Sequence, residues 1–336
     1  MIRSLDLITI GGATRDIMFL TAEGTVMPNP GDPMRQTLVG FEYGAKIMSR
    51  VCHFMVGGGA CNVAVGARRL GLKTAAIVSL GTDRDGDALL QDLRTEGVRI
   101  DGVKRHATLR TGFSFIVVTE RSGEHVAFLY RGANDALVVS RRDLQRRRTR
   151  WVYVSSVGKA AWERIQPTLL DVVSERPVKF AWNPGENQLM LGFKKIRPVL
   201  ERTDVLLVNK DEATELVVSS GIRLTGALRR IPVLLKALQG FGPQLVVITD
   251  GARGAAVFNG HQLYSAPAVR GKVVDTTGAG DAFGAGFLAG LRLFHDLQPA
   301  LQLGLRNAAA ECATIGTQTG LLRWSQVAKI FERHRK

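Results

Sequence analysis

Short apolar runs alternate with segments of helical periodicity along most of the chain, and this rhythm constrains the fold more than any other feature. The first half contains LDLITIGG, ACNVAVGARRLG and TAAIVSLG, and the second half contains WVYVSSV, PVKFAWNPG, DVLLVNKDEATELV and QLVVITDG. Strands that alternate with helices predict βαβ units, and therefore an α/β fold with a mostly parallel central sheet covered on both faces. Several runs end in polar or glycine residues, at the strand edge where such sheets bind ligands.

Two segments interrupt this rhythm. Residues 20 to 50 are rich in proline in their first half, and residues 111 to 130 contain two strand-like runs around the turn ERSG. We expect these segments to form a small β lid. The sequence shows no internal repeat and no flexible linker, so we assign a single domain over residues 1–336, with lid segments at about 17–55 and 108–132.

Length and composition restrict the class of protein. The chain has 336 residues, 45% of them hydrophobic, which suffices for a large α/β core. The amino-terminal apolar run is interrupted by Asp6 and no segment offers about 18 uninterrupted apolar residues, so neither a signal peptide nor a membrane span is predicted. Cys52, Cys61 and Cys312 lack a C-x-x-C spacing, which predicts reduced thiols rather than disulfides or a zinc site. We expect a cytoplasmic protein without a membrane partner.

The formal net charge of +15 is partly concentrated in RRDLQRRRTR, residues 141 to 150, which holds six arginines and one acidic residue. A charge block of this kind is typical of a solvated helix face, here preceding a predicted strand. It could also be an interaction patch. No aromatic residue is interleaved with the arginines to stack on bases, so nucleic acid is not the partner we expect.

The segment DTTGAGDAFGAGF, residues 275 to 287, combines four glycines with two aspartates. It does not fit the dinucleotide fingerprint G-x-G-x-x-G, because Phe283 occupies the third glycine position, and no segment of the chain matches a P-loop. The preceding run RGKVV predicts a strand, and the helical spacing of Phe283 and Phe287 predicts a helix that starts near Ala282.

The glycine turn between that strand and that helix has the properties of an anion-binding site. Gly278, Ala279 and Gly280 present backbone N–H groups at a helix amino terminus, where aligned peptide dipoles favour an anion. Asp281 follows as a carboxylate that can accept a proton from an attacking hydroxyl. The alternative is an ordinary strand-to-helix turn in which Asp281 caps the helix.

Two motifs resemble the signatures of a known family. DTTGAGDAFGAGFLAGL is similar to the carboxy-terminal signature of the ribokinase-like, or PfkB, carbohydrate kinases, and GGGACNVAVGARRLGLKTAAIVSLGTDRDGDALLQDLRTEGV is similar to their amino-terminal signature. Both occur in the family's order and spacing, and the resemblance extends from ITIGGATRD to the helix around Asn307. It implies a ribokinase-like three-layer α/β/α sandwich with a small β lid, and an ATP-dependent kinase that transfers the γ-phosphoryl group to a hydroxymethyl group of a sugar.

The resemblance also implies roles for residues around the glycine turn. Asp281 matches the family's catalytic base, and the turn from Gly278 to Gly280 matches the segment that stabilises the transferred phosphoryl group. Asp275 and the carbonyl of Thr277 match the loop that binds a monovalent cation such as K⁺.

On the nucleotide side, VNKDE matches the family's N-x-x-E element, which implies that Asn209 and Glu212 organise Mg²⁺, with Glu212 acting through water. Hard oxygen ligands at a strand end suit magnesium, which keeps much of its water shell. Without the resemblance, this pair would be interpreted as a helix cap and a surface glutamate. TDGARG resembles the family's nucleotide loop, so Thr249 and Gly251 are expected to contact ATP, and Asn307 to border the adenine.

On the acceptor side, Asp16 in GGATRD and the residues Gly57, Gly58 and Asn62 in VGGGACN occupy positions where the family binds substrate hydroxyls, and Asn183 in WNPG is expected to join them. A carboxylate and a carboxamide suit this role because each can bond adjacent hydroxyls and reject analogues that lack them.

The identity of the acceptor stays open. Gly59 replaces the lysine common in ribokinases, and the proline-rich segment is longer than expected. A nucleoside kinase shares every catalytic element and would need an aromatic wall for the base, which Phe41, Phe113, Phe115 and Phe128 could supply, although they could equally form the core of the lid. The lid could also mediate a homodimer.

A third hypothesis comes from a different functional class. The chain could be a basic, non-catalytic regulator or nucleic-acid binder built on a kinase scaffold. Intact Asp281, Asn209 and Glu212 argue against this, because a pure binding role requires none of them.

Overall fold

The computed structural model describes residues 4–29, 37–119, 125–145, 149–223 and 230–332. In those ranges the strands are β1 (Leu5–Ile10), β2 (Thr14–Thr21), β3 (Thr25–Pro28), β4 (Thr37–Gly40), β5 (Val51–Gly57), β6 (Thr74–Ile77), β7 (Ser79–Gly81), β8 (Lys104–His106), β9 (Gly112–Thr119), β10 (His125–Tyr130), β11 (Thr149–Val154), β12 (Lys179–Trp182), β13 (Val205–Asn209), β14 (Leu245–Thr249), β15 (Ala255–Phe258) and β16 (Leu263–Ala266). The α-helices are α1 (Gly59–Arg69), α2 (Arg84–Thr95), α3 (Arg141–Gln145), α4 (Lys159–Glu175), α5 (Glu186–Leu189), α6 (Phe193–Leu200), α7 (Lys210–Ser219), α8 (Ile231–Gln239), α9 (Ala279–Phe294), α10 (Leu297–Cys312) and α11 (Trp324–Phe331). Short 3-10 helices cover Gly132–Ala136 and Gly251–Arg253.

The central sheet has eight strands in the order β16–β15–β14–β13–β12–β11–β1–β6. From β14 to β6 every neighbouring pair is parallel, while β15 and β16 join the opposite edge as antiparallel strands. The predicted, mostly parallel sheet is therefore confirmed.

Helices cover both faces of this sheet. Successive residues of a strand point to opposite faces, so Ile8 belongs to a core that includes Trp162 of α4, while Leu7 belongs to a second core that includes Phe287 of α9. The first core is completed by side chains of α5 to α8, and the second by side chains of α1, α10 and α11. This arrangement is the three-layer α/β/α sandwich that the sequence predicts.

A second, four-stranded sheet forms the lid. Its order is β10–β9–β2–β5, with β2 and β9 parallel and the outer pairs antiparallel. It begins at Thr14, a little before the predicted start of the lid. The strand-like runs within residues 111 to 130 are confirmed as β9 and β10, but the turn ERSG between them and the prolines at positions 30 and 33 lie outside the described residues.

Two predicted element boundaries are wrong. RGKVV does not form a strand: the backbone of Val274 donates to the carbonyl of Cys312 (2.7 Å) at the end of α10, which ties the segment to a helix end rather than to a sheet. The following helix begins at Ala279, three positions before the predicted Ala282, because the glycine turn itself supplies the first helical residues.

The arginine-rich segment forms α3 and leads into β11, as predicted, although residues 146–148 lie outside the described part. Arg141 pairs with Asp171 (3.3 Å) and with Glu175 on α4. All three cysteines are free thiols. In the part of the chain that the structure describes, no helix combines the length and apolar character needed to cross a membrane.

Candidate active site

A cavity of about 310 Å³ opens between the carboxyl edge of the central sheet and the lid. Its wall is built from the loop after β1, the lid strands β2, β9 and β10, the segment after β11, and the amino-terminal ends of α1 and α9. The polar side chains in the wall are those of Thr14, Asp16, Asn62, Ser114, Tyr130, Arg131, Asn134, Ser156, Thr277, Asp281 and Thr317.

Asp281 lies in the first turn of α9, beside the glycine turn. Gly278 precedes the helix with φ of 77° and ψ of 0°, a left-handed conformation that glycine adopts without steric strain. Gly278 is therefore the N-cap residue, and the interpretation of Asp281 as the cap is excluded. A Cβ at Gly280 would meet nothing within 4 Å, so a ligand can approach the backbone there. The amide of Ala279 already donates to the carbonyl of Thr276 (3.2 Å).

The environment of Asp281 tunes its acidity. Burial raises the pKa of Asp281 to about 6, against the lowering effect of a hydrogen bond from Asn62, and the negative charge of Asp16 adds to the increase. A carboxyl group with this pKa is mostly ionised at neutral pH and is still basic enough to accept a proton.

Asn62 fixes the orientation of Asp281. Its Nδ2 donates to Oδ2 of Asp281 (2.8 Å), and its Oδ1 accepts from Nε2 of Gln318 (2.9 Å). Because both ends of the amide are engaged, the carboxylate is held in one position. Asn62 also lines the cavity, where the sequence predicts contact with acceptor hydroxyls.

Asp16 projects from the lid into the cavity. It is 5% exposed, its Oδ1 accepts from Oγ of Ser114 (2.6 Å), and burial raises its pKa. Gly57 on the neighbouring strand is required by this packing, since a Cβ there would lie 1.8 Å from Oδ2 of Asp16. Gly58 has φ of 91°, and a Cβ there would lie 2.4 Å from the carbonyl oxygen of Gly12, so this glycine brings α1 against the loop after β1.

Asp275 and Thr277 connect the glycine turn to the loop after α10. Oδ1 of Asp275 accepts from the amide of Thr277 (2.9 Å), and Oδ2 accepts from the amide of Gly316 (3.1 Å). The Oγ1 atom of Thr277 is buried and has no hydrogen-bond partner among the described residues. A buried hydroxyl without a partner is costly, so this atom is an unsatisfied polar group next to the turn.

Asn209 and Glu212 form a reciprocal capping box at the start of α7. Oδ1 of Asn209 accepts from the amide of Glu212 (2.8 Å), and Oε2 of Glu212 accepts from the amide of Asn209 (2.8 Å). Burial raises the pKa of Glu212 to about 7; the Asn209 amide opposes this, and the carboxylates of Glu215, Asp211 and Asp281 contribute to it. Asn209 is thus a helix cap, as the sequence alone would predict. Oε1 of Glu212 takes no part in the capping box.

Thr249 and Gly251 lie next to this pair. Thr249 ends β14 directly beside Asn209 in the parallel register of β13 and β14. Gly251 has φ of 52°, and a Cβ there would meet nothing within 4 Å. The four residues therefore share the carboxyl edge of the sheet, outside the wall of the cavity.

Two predicted site residues lie elsewhere. Asn183 donates to the carbonyl of Leu207 (2.8 Å) and is not part of the cavity wall. Asn307 is fully buried, donates to the carbonyl of Ala282 (2.7 Å) and accepts from the amide of Leu322 (2.9 Å), so it joins α9 and α10 to the following loop.

Sequence reasoning missed several residues of the wall. Ser114 binds Asp16, and Asn134 binds both the carbonyl (2.9 Å) and the amide (3.0 Å) of Ala13, which fixes the loop after β1. Arg131 precedes Asn134 in the segment YRGAND, directly after β10. The polar composition of that segment after an apolar strand was the available signal.

Residues 35–324 match the family described as pfkB family carbohydrate kinase. The chain belongs to this family. An uncharacterised sugar kinase of Archaeoglobus fulgidus is 32% identical over 77% of this chain and 99% of that relative. An ATP-dependent 6-phosphofructokinase of Thermoanaerobacterium thermosaccharolyticum is 27% identical over 77% of this chain and 80% of that relative.

Solved structures show the same fold. The ribokinase of Arabidopsis thaliana, solved with ribose and ATP, superposes with a TM-score of 0.78 at 20% identity, covering 98% of this chain and 99% of the other. The protein is thus a phosphotransferase of the PfkB type, a family that acts on sugar hydroxyls, and the resemblance seen in the sequence is confirmed.

Proposed function

We propose that this kinase transfers the γ-phosphoryl group of ATP to a hydroxymethyl group of a sugar bound in the cavity. The observation that carries the proposal is the position of Asp281, which combines a raised pKa, a fixed orientation and a place beside the Gly278 turn at the amino terminus of α9. A base and an anion-binding turn at one point are what phosphoryl transfer needs, since the protein mainly positions reactants and neutralises charge.

In this mechanism the oxygen of the acceptor hydroxyl forms a bond to the γ-phosphorus while Asp281 accepts the proton of that hydroxyl. The bond between the γ-phosphorus and the bridging oxygen of the leaving ADP breaks. The helix amino terminus, with the turn from Gly278 to Gly280, stabilises negative charge on the transferred group. Asp16 holds acceptor hydroxyls, together with Asn62 and the close-packed backbone at Gly57 and Gly58. Asn183 is the predicted acceptor contact with the least support, because it is not part of the cavity wall.

Thr249 and Gly251 are proposed to bind the nucleotide beside Asn209. The open space at Gly251 supports this, because a ligand can approach its backbone. The burial of Asn307 gives it no surface for direct contact with adenine, so its contribution is to support α9 from behind.

The residues present fit a hydrated magnesium ion. Oε1 of Glu212 lies outside the capping box, which leaves a hard oxygen ligand for an ion that keeps most of its waters and binds phosphate oxygens. Glu212 would hold such an ion through water, with Asn209 beside it. When bound, Mg²⁺ supplies positive charge to the phosphates.

A monovalent cation is proposed at the Asp275 loop. The two amides on the Asp275 carboxylate close a loop against Gly316, and the carbonyl of Thr277 belongs to the same turn. A cation there would stabilise the glycine turn from behind. We expect activity to fall when K⁺ is replaced by a bulky organic cation at constant ionic strength, with Mg²⁺ held constant; unchanged activity would show that the loop is self-sufficient.

A nucleoside acceptor is the second candidate. Phe113 and Tyr130 both line the cavity, with ring centroids 5.4 Å apart, and could pack against a base. The ring centroid of Phe115 lies 4.8 Å from that of Phe19 and 6.3 Å from that of Phe128. Phe115, Phe128 and Phe41 are not part of the cavity wall.

The decisive experiment is an ATP-consumption screen against pentoses, hexoses, their monophosphates and nucleosides. Turnover with a sugar and none with nucleosides is the expected result. A protein that consumes ATP with none of these acceptors, and binds nucleic acid with an affinity that falls steeply between about 50 and 200 mM salt, would instead support the regulator hypothesis.

A further inference from the structure

The acceptor cavity contains a cation that the phosphoryl-transfer mechanism does not use. Arg131 follows β10 directly, lines the cavity and is half-buried. Among the described residues it forms no ion pair within 4.0 Å. An arginine that lines a ligand cavity and is not paired with a protein carboxylate is positioned to bind an anionic group of the ligand.

The backbone of Arg131 is held while its guanidinium is left free. Its carbonyl accepts from the amide of Asn134 (3.0 Å), and the next residue, Gly132, has φ of 49° in a position where a Cβ would lie 2.3 Å from the carbonyl oxygen of Arg110. At Gly158 a Cβ would lie 2.0 Å from Oδ1 of Asp135 and 3.6 Å from Cδ of Arg131, so the Asp135 carboxylate is near the Arg131 side chain, although the two form no ion pair within 4.0 Å. The backbone of Arg131 is therefore fixed, while its guanidinium forms no ion pair with the described residues.

Two other partly buried arginines are paired within the protein. Arg69 pairs with Glu96 (2.6 Å), and Arg292 pairs with Asp6 (2.8 Å). These pairs tie elements together and need no ligand. Arg131 differs because Asp16 and Asp281 lie in the same cavity wall, yet neither is paired with it: Asp16 binds Ser114 and Asp281 binds Asn62.

We propose that the acceptor carries an anionic group, a phosphate monoester or a carboxylate, and that Arg131 binds it. This inference rests on the proposed function, because it describes the acceptor of that same reaction. The two carboxylates repel an anion and accept hydrogen bonds from hydroxyls, whereas Arg131 attracts the anion, so the acceptor is oriented with its charge at Arg131 and its reacting hydroxyl at Asp281. Gly59, which adds no side chain beside Asp281, leaves room for that hydroxyl.

The test compares matched acceptors in steady-state kinetics: sugar monophosphates, sugar acids and the uncharged parent sugars. We expect the wild-type protein to prefer one of the two anionic classes, and that preference identifies the anion as phosphate or carboxylate. Arg131→Gln should raise the KM for the preferred anionic acceptor about 10- to 100-fold, the usual contribution of a hydrogen-bonded charge. Arg131→Lys should cause a smaller increase, because it keeps the charge but loses the bidentate fork.

Arg150→Gln is the matched control. Arg150 is an exposed arginine at the amino end of β11, outside the acceptor cavity. Its replacement removes the same charge and should leave the KM for the anionic acceptor and the KM for the uncharged acceptor unchanged. In both Arg131 variants the KM for ATP should stay at the wild-type value.

Two results would overturn the inference. One is wild-type preference for the uncharged parent sugars or nucleosides, which would leave the proposed kinase function intact. The other is an equal KM increase for charged and uncharged acceptors in Arg131→Gln, which would show that Arg131 only supports the wall. If none of these acceptor classes supports ATP consumption, the proposed function itself is refuted.

Discussion

Asp281 occupies a position where a carboxylate can either cap a helix or take part in catalysis, and the structure separates the two roles. Gly278 is the cap, and the Asp281 side chain is bound by Asn62 within the cavity wall. Asp281→Asn keeps the size of the side chain but cannot accept the proton. We expect kcat to fall by about 10² to 10⁴-fold, the usual contribution of general-base catalysis, with the KM for ATP unchanged.

Asp296→Asn is the control for this prediction, because Asp296 does cap a helix: its Oδ1 accepts from the amide of Gln298 (3.0 Å) at the start of α10. Asparagine caps as well as aspartate, so this variant should keep full activity. Wild-type turnover by Asp281→Asn with an identified acceptor would contradict the assigned role.

The acidity of Asp281 predicts the pH dependence of the reaction. Its pKa is about 6, and the protonated carboxyl group cannot accept a proton, so kcat/KM should fall about tenfold per pH unit below pH 6 and level off above it. Asp16 and Glu212 are the carboxylates that face it, and both also have raised pKa values. The residual activity of Asp281→Asn should lack this dependence; an identical profile in the variant would assign the titration to another group.

The same shift affects stability with a defined sign. Because the pKa of Asp281 is higher in the folded state than in the unfolded state, its ionisation opposes folding, and the stability it contributes is lost as pH rises from about 4 through 6. The melting temperature of Asp281→Asn relative to wild type should therefore increase over that range. A melting-temperature difference between Asp281→Asn and wild type that decreases as pH rises would contradict this assignment.

At the scale of elements, the glycine turn can be tested with a pair of glycines that share a positive φ but differ in ψ, which is 0° at Gly278 and 157° at Gly192. Gly278 and Gly192 both precede a helix with φ of 77°, but a Cβ at Gly278 would lie 2.9 Å from Cβ of Thr317, whereas one at Gly192 would meet nothing within 4 Å. Alanine at either site should be destabilising by about 1 to 3 kcal/mol, because both backbones have a positive φ that alanine rarely adopts.

Only Gly278→Ala should also impair catalysis, by about 10- to 100-fold in kcat, because the contact with Thr317 displaces the turn from the transferred group. Chemical denaturation and steady-state kinetics on both variants separate the two effects. Equal activity of Gly278→Ala and Gly192→Ala would show that the turn does not contribute to phosphoryl transfer.

The elements also show how far the sequence could predict the structure. Buried parallel strands were predictable because their apolar runs are nearly continuous, and Asp281 and the glycine turn because their motif is local. RGKVV was mistaken for a strand because valines favour strands, yet Val273 is 67% exposed and the segment is held by the end of α10. The contacts of Asn62 and Asn134 join segments distant in the chain, and no local pattern reports such contacts.

At the scale of the whole molecule, the lid presents an apolar face to solvent. Phe54 and Phe128 are 62% and 58% exposed and lie on different strands of the lid sheet, and Val126 is exposed on the same strand as Phe128. Exposed apolar surface of this kind marks an interaction site in many proteins. One edge of this patch carries a cation, because the guanidinium of Arg15 lies over the Phe54 ring, 5.8 Å from its centroid.

We therefore propose that two copies associate through their lids, and we predict a dimer in sedimentation equilibrium at micromolar concentration. Phe128→Glu places a charge in the interface and should shift the protein to monomer. Met190→Glu is the matched control, because Met190 is 73% exposed and lies after α5, away from the lid, so this variant should remain dimeric. A monomeric wild-type protein, or a dimer unaffected by Phe128→Glu, would exclude the lid as the interface.

Because β2 carries Asp16 into the acceptor cavity, loss of the dimer should also raise the KM for the acceptor more than the KM for ATP.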